Sequence, residues 1–234
     1  MQEKGLIRLP AKRGKGSVRK APPKETPQTA MQPTLEVTLK SIAPVELIPV
    51  TEHKERHLWN EYVERYHPLG YKKPAGYALR YFIRTEDTYL GCLLVSGASR
   101  ALDARDKWIG WRTEQRKANL PWVVNNARYL IFPWVKIPHL ASHVLGQLAR
   151  RVADDWDDRW GFRPLLLETF VDPIYYSGVC YQATGWECLG ETTGRGLAQP
   201  GKSYKSSPKL IFVKPLAEQS KSLLCSTLKG RTEL

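Results

Sequence analysis

Four consecutive pieces of the chain decide its fold: NNARYLIFPWV (125–135), KIPHLASHVLGQLARRVADDWDDRWGFRP (136–164), LLLETFVDP (165–173) and IYYSGVCYQATGWECLGETTGRG (174–196). The first predicts a strand from Arg128 to Val135. In the second, Pro138 starts a long helix that ends near Trp160. Leu140, Val144, Leu148, Val152 and Trp156 recur at every fourth position, which puts them on one face of that helix. Gly161 stands where a left-handed C-cap belongs. The third piece is an apolar run broken only by Glu168 and Thr169, the pattern of a strand covered on both faces. In the fourth, Pro173 opens a short helix through about Ala183, and Trp186 to Glu191 form the next strand.

Working outward, Leu210 to Val213 read as the last strand. Towards the N-terminus, Leu35, Val37 and Leu39 alternate as in an edge strand, and residues 45–50 are extended. Thr51 caps a helix reaching Tyr66, with Leu58, Trp59, Tyr62 and Tyr66 on its apolar face. A loop rich in turn formers covers 67–76. Tyr77–Arg84 and Tyr89–Ser96 read as a hairpin. The sum is an α/β chain with one mixed sheet flanked by helices, in a single domain over 34–216.

The 234 residues carry a formal net charge of +13, with +6 in residues 1–33, +5 in residues 200–234 and only +2 between them. Residues 1–33 have too few large apolar groups to offset their ordering entropy, so they read as a disordered basic arm, and 217–234 as a loose basic tail. Basic ends favour a polyanionic partner, DNA above all, through counterion release; a tail that only aids solubility is the plainer reading. The four cysteines, Cys92, Cys180, Cys188 and Cys225, form neither a C-x-x-C pair nor a disulfide scaffold. With no apolar leader and no run of membrane-spanning length, the expectation is a cytoplasmic protein without membrane contact.

Several residues are candidates for chemistry. Glu168, alone in an apolar strand, must be paired or have its pKa raised; the second would suit a general base, the first a structural ion pair. Asp172 follows at the end of that strand, where open α/β sheets bind ligands. Asn125, Asn126 and Arg128 open the adjacent strand and could orient a substrate or phosphate, or only form the preceding turn. His67 could act in the site or order its loop. Trp108, Trp111, Arg112, Arg116 and Lys117 interleave rings and cations, as in stacking on bases; alternatively the tryptophans pack inward. His139 and His143 are one turn apart but lack a further ligand, and Asp154, Asp155, Asp157 and Asp158 read as a solvated helix end, so no metal site is assigned.

The element order is similar to the acetyltransferase-like (GNAT) fold. Tyr181-Gln-Ala-Thr-Gly185-Trp186 has the form of a motif common there, a Tyr ahead of a Gly-aromatic pair, and the resemblance implies that Tyr181 lies near splayed strands as a general acid. The glycine-rich loop that holds coenzyme A is replaced by Pro133-Trp-Val-Lys-Ile-Pro-His-Leu-Ala-Ser142, which argues against acyl-coenzyme A. More specifically, LGYKKPAGYALRY, LGCLLVSGASRALDARDKWIGW, NNARYLIFPWVKIPHLASHVLG, FRPLLLETFVDP and GVCYQATGWECLGETTGRG resemble the DruA family of Druantia anti-phage and transposon-associated proteins over about residues 57–216. That resemblance implies action on or with DNA. It does not imply a reaction. Arg195 lies in its final motif, as a substrate-binding candidate.

Two functions stay open. One is an enzyme that modifies or cleaves DNA, around Glu168, Asp172 and Tyr181, with Mg²⁺ a possible cofactor. The other is a non-catalytic DNA-binding subunit that delivers a helicase or transposase partner. An acyl-coenzyme A-dependent acyltransferase is a third and weaker reading.

Overall fold

The computed structural model describes residues 22–86, 88–194 and 207–227. Its strands are β1 (Leu35–Glu36), β2 (Glu46–Pro49), β3 (Ala78–Arg84), β4 (Tyr89–Gly97), β5 (Val123–Ile131), β6 (Val135–Lys136), β7 (Leu166–Val171), β8 (Glu187–Glu191) and β9 (Leu210–Pro215). Its helices are α1 (Leu39–Ile42), α2 (His53–Tyr66), α3 (Asp103–Ile109), α4 (Thr113–Asn119), α5 (Leu140–Trp160), α6 (Val179–Gln182) and α7 (Ser220–Leu224), with 3₁₀ turns at Pro27–Thr29 and Leu120–Trp122. Seven strands form one mixed sheet in the order β2-β3-β4-β5-β7-β9-β8. β2 to β5 are antiparallel neighbours, β7 runs parallel to β5, and β9 lies antiparallel between β7 and β8. Every residue from Leu90 to Ser96 is buried, so both faces of the sheet are covered at β4.

The helical periodicity in α5 holds: all five of its fourth-position residues are fully buried. Burying one such side chain contributes about 1.5–3 kcal/mol. Gln147 Nε2 and Arg151 Nη1 donate to the carbonyls of Val45 and Leu47 at 2.6 Å each, tying α5 to β2 and to the residue before it. On α2, Trp59 donates to the Tyr81 carbonyl and Tyr62 stacks on Phe132.

The structure differs from the sequence reading in several places. Part of the N-terminal arm is docked: the Glu61 carboxylate accepts from the Thr26 N–H and the Thr29 hydroxyl, and Tyr62 and Tyr66 donate to the carbonyls of Gln28 and Thr29. A buried carboxylate needs donors, and the 27–29 turn supplies them. The start of the C-terminal tail is also packed, with Leu224 buried and its carbonyl accepting from Asn119 Nδ2. The edge strand is only two residues long; it pairs in parallel with β6 as a separate ladder, and α1 follows. Thr51 does not cap α2, whose N-cap is Glu52 without a side-chain bond. Residues 173–178 are a turn rather than helix, because Tyr175 and Tyr176 N–H close back on the Asp172 carbonyl and Gly178 is left-handed at φ 76°.

Among the described residues no helix is long and apolar enough to cross a membrane. The four cysteines are free.

Candidate functional site

β5 and β7 pair in parallel only from Val123↔Leu166 to Asn125↔Glu168. Beyond that point β5 stays on β4 as far as Ile131, and β7 stays on β9 as far as Val171. The two strands therefore splay apart. Thr169 marks the divergence, its hydroxyl donating to the Asn126 carbonyl at 3.0 Å. Ala127 is an extra residue in the β4–β5 register, and such a bulge bends and twists the strand further. The opening is a cleft of about 300 Å³, walled by the 67–69 loop, Ala141 at the start of α5, and the Gly178–Tyr181 segment.

Gly178 is required where it stands. It adopts a left-handed φ, and a Cβ there would lie 2.6 Å from the Phe212 ring. Three residues on, Tyr181 is buried and stacks on Phe212 with ring centroids 5.5 Å apart. The Tyr181 hydroxyl accepts from Asn126 Nδ2 at 3.1 Å. Asn126 is buried, and its Oδ1 has no partner among the described residues. Burial pushes the Tyr181 phenol well above its ordinary pKa, so it stays protonated.

His67 and Arg128 face this floor. Burial, assisted by the Arg128 charge, pushes the His67 pKa down to about 4. The imidazole is neutral at pH 7, and its Nδ1 accepts from the Leu69 N–H at 3.1 Å, which leaves the proton on Nε2. Arg128 donates to the carbonyls of Gly70 and Ala127. Among the described residues it has no carboxylate partner. At the rim, Asp172 forms an ion pair with Lys209 and also accepts from the Ile174 N–H. The Lys209 bond holds the Asp172 carboxyl below its ordinary value.

Asn126, Arg128, His67, Asp172 and Tyr181 thus line one cleft. Glu168 and Asn125 do not line the cleft. Thr169 faces it, and Glu168, the preceding residue of the strand, belongs to the opposite face. There Glu168 Oε2 accepts from Arg105 Nη1 at 2.7 Å and Oε1 from the Ser99 N–H at 2.7 Å, with both charged side chains fully buried. Burial raises the Glu168 pKa against the pull of Arg105. Its carboxylate is engaged in this ion pair, away from the cleft. Arg195 lies outside the described residues.

Trp108, Trp111, Arg112, Arg116 and Lys117 lie on or beside α3 and α4, and none lines the cleft. Trp111 is buried under the Arg105 guanidinium, the Trp108 ring is covered by the Lys221 ammonium at 3.8 Å, and Arg116 pairs with Asp106. Each of the two rings thus has a cation of the fold over one face. Among the described residues no group of three or more His, Cys, Asp or Glu is placed to hold a metal ion. His143 interacts with Gln147 at 2.8 Å rather than joining His139.

Coenzyme A, implied by the GNAT resemblance, needs free backbone N–H groups before the helix that follows β5. Here Pro133 and Pro138 have none, the Phe132, Val135 and Leu140 N–H groups are bonded to carbonyls, and the N-cap is His139 at φ 64°. These five positions offer a pyrophosphate no N–H. Sequence reasoning missed Thr169, Tyr175, Tyr176 and Lys209, which line the cleft. Tyr175-Tyr176 directly after a strand end was the available signal.

Solved structures of similar fold include FeeM, an N-acyl amino acid synthase from uncultured soil microbes. It is 12% identical over 75% of this chain and 93% of that one, with a TM-score of 0.42. An N-acetyltransferase from Staphylococcus aureus Mu50 is 9% identical over 74% and 99% of the two chains, with a TM-score of 0.43. No curated protein matches by sequence. The model of one family, described as Druantia protein DruA, matches residues 1–205, and the chain belongs to that DruA family.

Proposed function

We propose that this chain acts on DNA within a Druantia-type anti-phage system, and that the cleft between β5 and β7 holds one nucleotide of that DNA. The observation that carries the reading is Arg128, a half-buried guanidinium at the cleft without a carboxylate partner among the described residues. A desolvated, unpaired cation draws an anion, and a phosphate suits its planar fork. Beside it lie an apolar floor, the open acceptor of Asn126 and the protonated Tyr181, a set that suits the polar edge and flat face of a base. Tyr181 is the group to donate a proton to a base or a leaving group. The neutral His67 would donate a hydrogen bond from Nε2.

A second reading, the non-catalytic subunit that delivers a helicase or transposase, is favoured by one observation: the Glu168 carboxylate is fully engaged by Arg105 and Ser99. The experiment incubates the full chain with labelled single- and double-stranded DNA, with and without Mg²⁺, and reads a denaturing gel beside intact mass. A product that disappears in Tyr181→Phe supports the enzyme. Binding that weakens in Arg128→Gln while the DNA stays unaltered supports the delivery subunit. Absence of any DNA binding sinks both.

A further inference from the structure

Six large hydrophobic side chains among the described residues are more than half exposed, and five of them gather at one place. Tyr175 (68% exposed), Tyr176 (57%) and Leu69 (66%) line the mouth of the cleft, and Ile174 and Val179 flank the tyrosines. A soluble fold rarely leaves such a cluster at the edge of a cavity without an occupant. The two tyrosine rings are 6.4 Å apart and tilted by 56°, so they present separate faces rather than covering each other.

Asp172 at the rim is paired with Lys209, and the other charges noted around the mouth are cationic. Arg128 stands inside the mouth, and the exposed Lys72 and Lys73 follow Leu69 by three and four residues. On the other side of α6 an open groove is lined by His139, His143, Arg150 and Lys214, with no acidic side chain in its walls. Cleft and groove meet along the seam of α5 and α6: Ala141 and Tyr181 face the first, Ser142, Ala183 and Thr184 the second.

We infer that the mouth of the cleft is a stacking platform for single-stranded DNA. Tyr175 and Tyr176 each take the face of an unpaired base, and the α5–α6 groove carries the flanking phosphates. Aromatic faces next to a basic groove are the common means of binding single strands without reading sequence. Duplex DNA is disfavoured because its base faces are already stacked on their neighbours. This rests on the DNA reading above and adds the form of DNA that the site takes.

The test measures fluorescence anisotropy of the full chain with a labelled 20-nucleotide single strand and with the matching duplex. Both tyrosines are exposed, and circular dichroism checks that the variants remain folded. Y175A/Y176A is expected to weaken single-strand binding at least about tenfold, the scale of one lost base–aromatic stack, with Y175F/Y176F close to wild type. Duplex binding should barely change. A 2-aminopurine base in the strand should be quenched by the wild type and not by Y175A/Y176A. R150E/K214E should flatten the salt dependence of single-strand binding. Wild-type affinity in Y175A/Y176A, or equal losses on both DNA forms, would overturn the platform and leave the DNA reading standing, with the patch assigned to another occupant. A wild-type chain that binds neither DNA form removes the DNA reading itself.

Discussion

Glu168→Ala should cost stability, not chemistry. In the folded chain Arg105 is fully buried and held by Glu168 at 2.7 Å, by the Ser99 carbonyl at 2.8 Å and by Asp106. Removing the carboxylate leaves that guanidinium with the partly exposed Asp106 alone for compensation, and strips the Ser99 N–H of its acceptor. Breaking a buried pair from one side costs about 3–5 kcal/mol. That is a large share of a typical total of about 5–15 kcal/mol. The assay is urea unfolding of the full chain, comparing midpoints at unchanged slope. R105M/E168L, which removes both charges, should recover most of the loss, because a well-packed apolar replacement of a buried pair is often neutral or better. At 10 °C, folded Glu168→Ala should bind DNA like the wild type. A loss below about 1 kcal/mol, or a double variant as unstable as the single one, would refute the assignment of Glu168 as a structural clamp.

Other consequences are open to simpler measurement. His67 is held neutral in the fold, with its pKa at about 4 against 6.5 ordinarily, so the unfolded chain binds more protons between these values. Stability should be complete above pH 6.5 and fall as the pH drops towards 4, by about 1–2 kcal/mol after discounting for solvent screening of this partly exposed ring, and His67→Gln should flatten that slope in denaturation curves at each pH. Gly178→Ala should destabilise by about 1–3 kcal/mol, from a left-handed φ together with a Cβ driven into Phe212, and a melting temperature equal to wild type would contradict the geometry of the cleft wall. Millimolar acetyl-coenzyme A should leave the melting temperature within about 1 °C, since Pro133 and Pro138 lack an N–H and those of Phe132, Val135 and Leu140 are bonded to carbonyls; a rise of several degrees would show binding.

The helices and core were largely legible in the chain because periodicity reports which side of an element is buried. The fourth-residue pattern of α5 and the apolar run of β7 are local facts, and their burial followed. The hairpin of β3 and β4 was legible for the same reason. The candidate site was legible in part. Asp172 stands at the end of a recognisable strand, where an α/β sheet meets ligands, whereas Asn126 and Arg128 lie in the middle of β5, which begins at Val123 rather than at Arg128. Glu168 could not be placed from sequence, since a lone carboxylate in an apolar strand fits a base and a clamp equally well. The difference lies in Arg105, 63 residues away, and no spacing rule connects them. For Trp108 and Trp111 the sequence left stacking and inward packing both open, because ring exposure is a property of neighbours such as Lys221 and Arg105.

By itself the sequence determined the class of the fold, the elements that bury their faces, the basic ends and the family. The tertiary structure decided where β9 inserts, where β5 and β7 part, and which rings face solvent. Strand neighbours and splaying depend on contacts between residues far apart in the chain, and side-chain availability depends on what packs against it. Periodicity reports the face of an element that is buried; it carries no information about the partner that covers it.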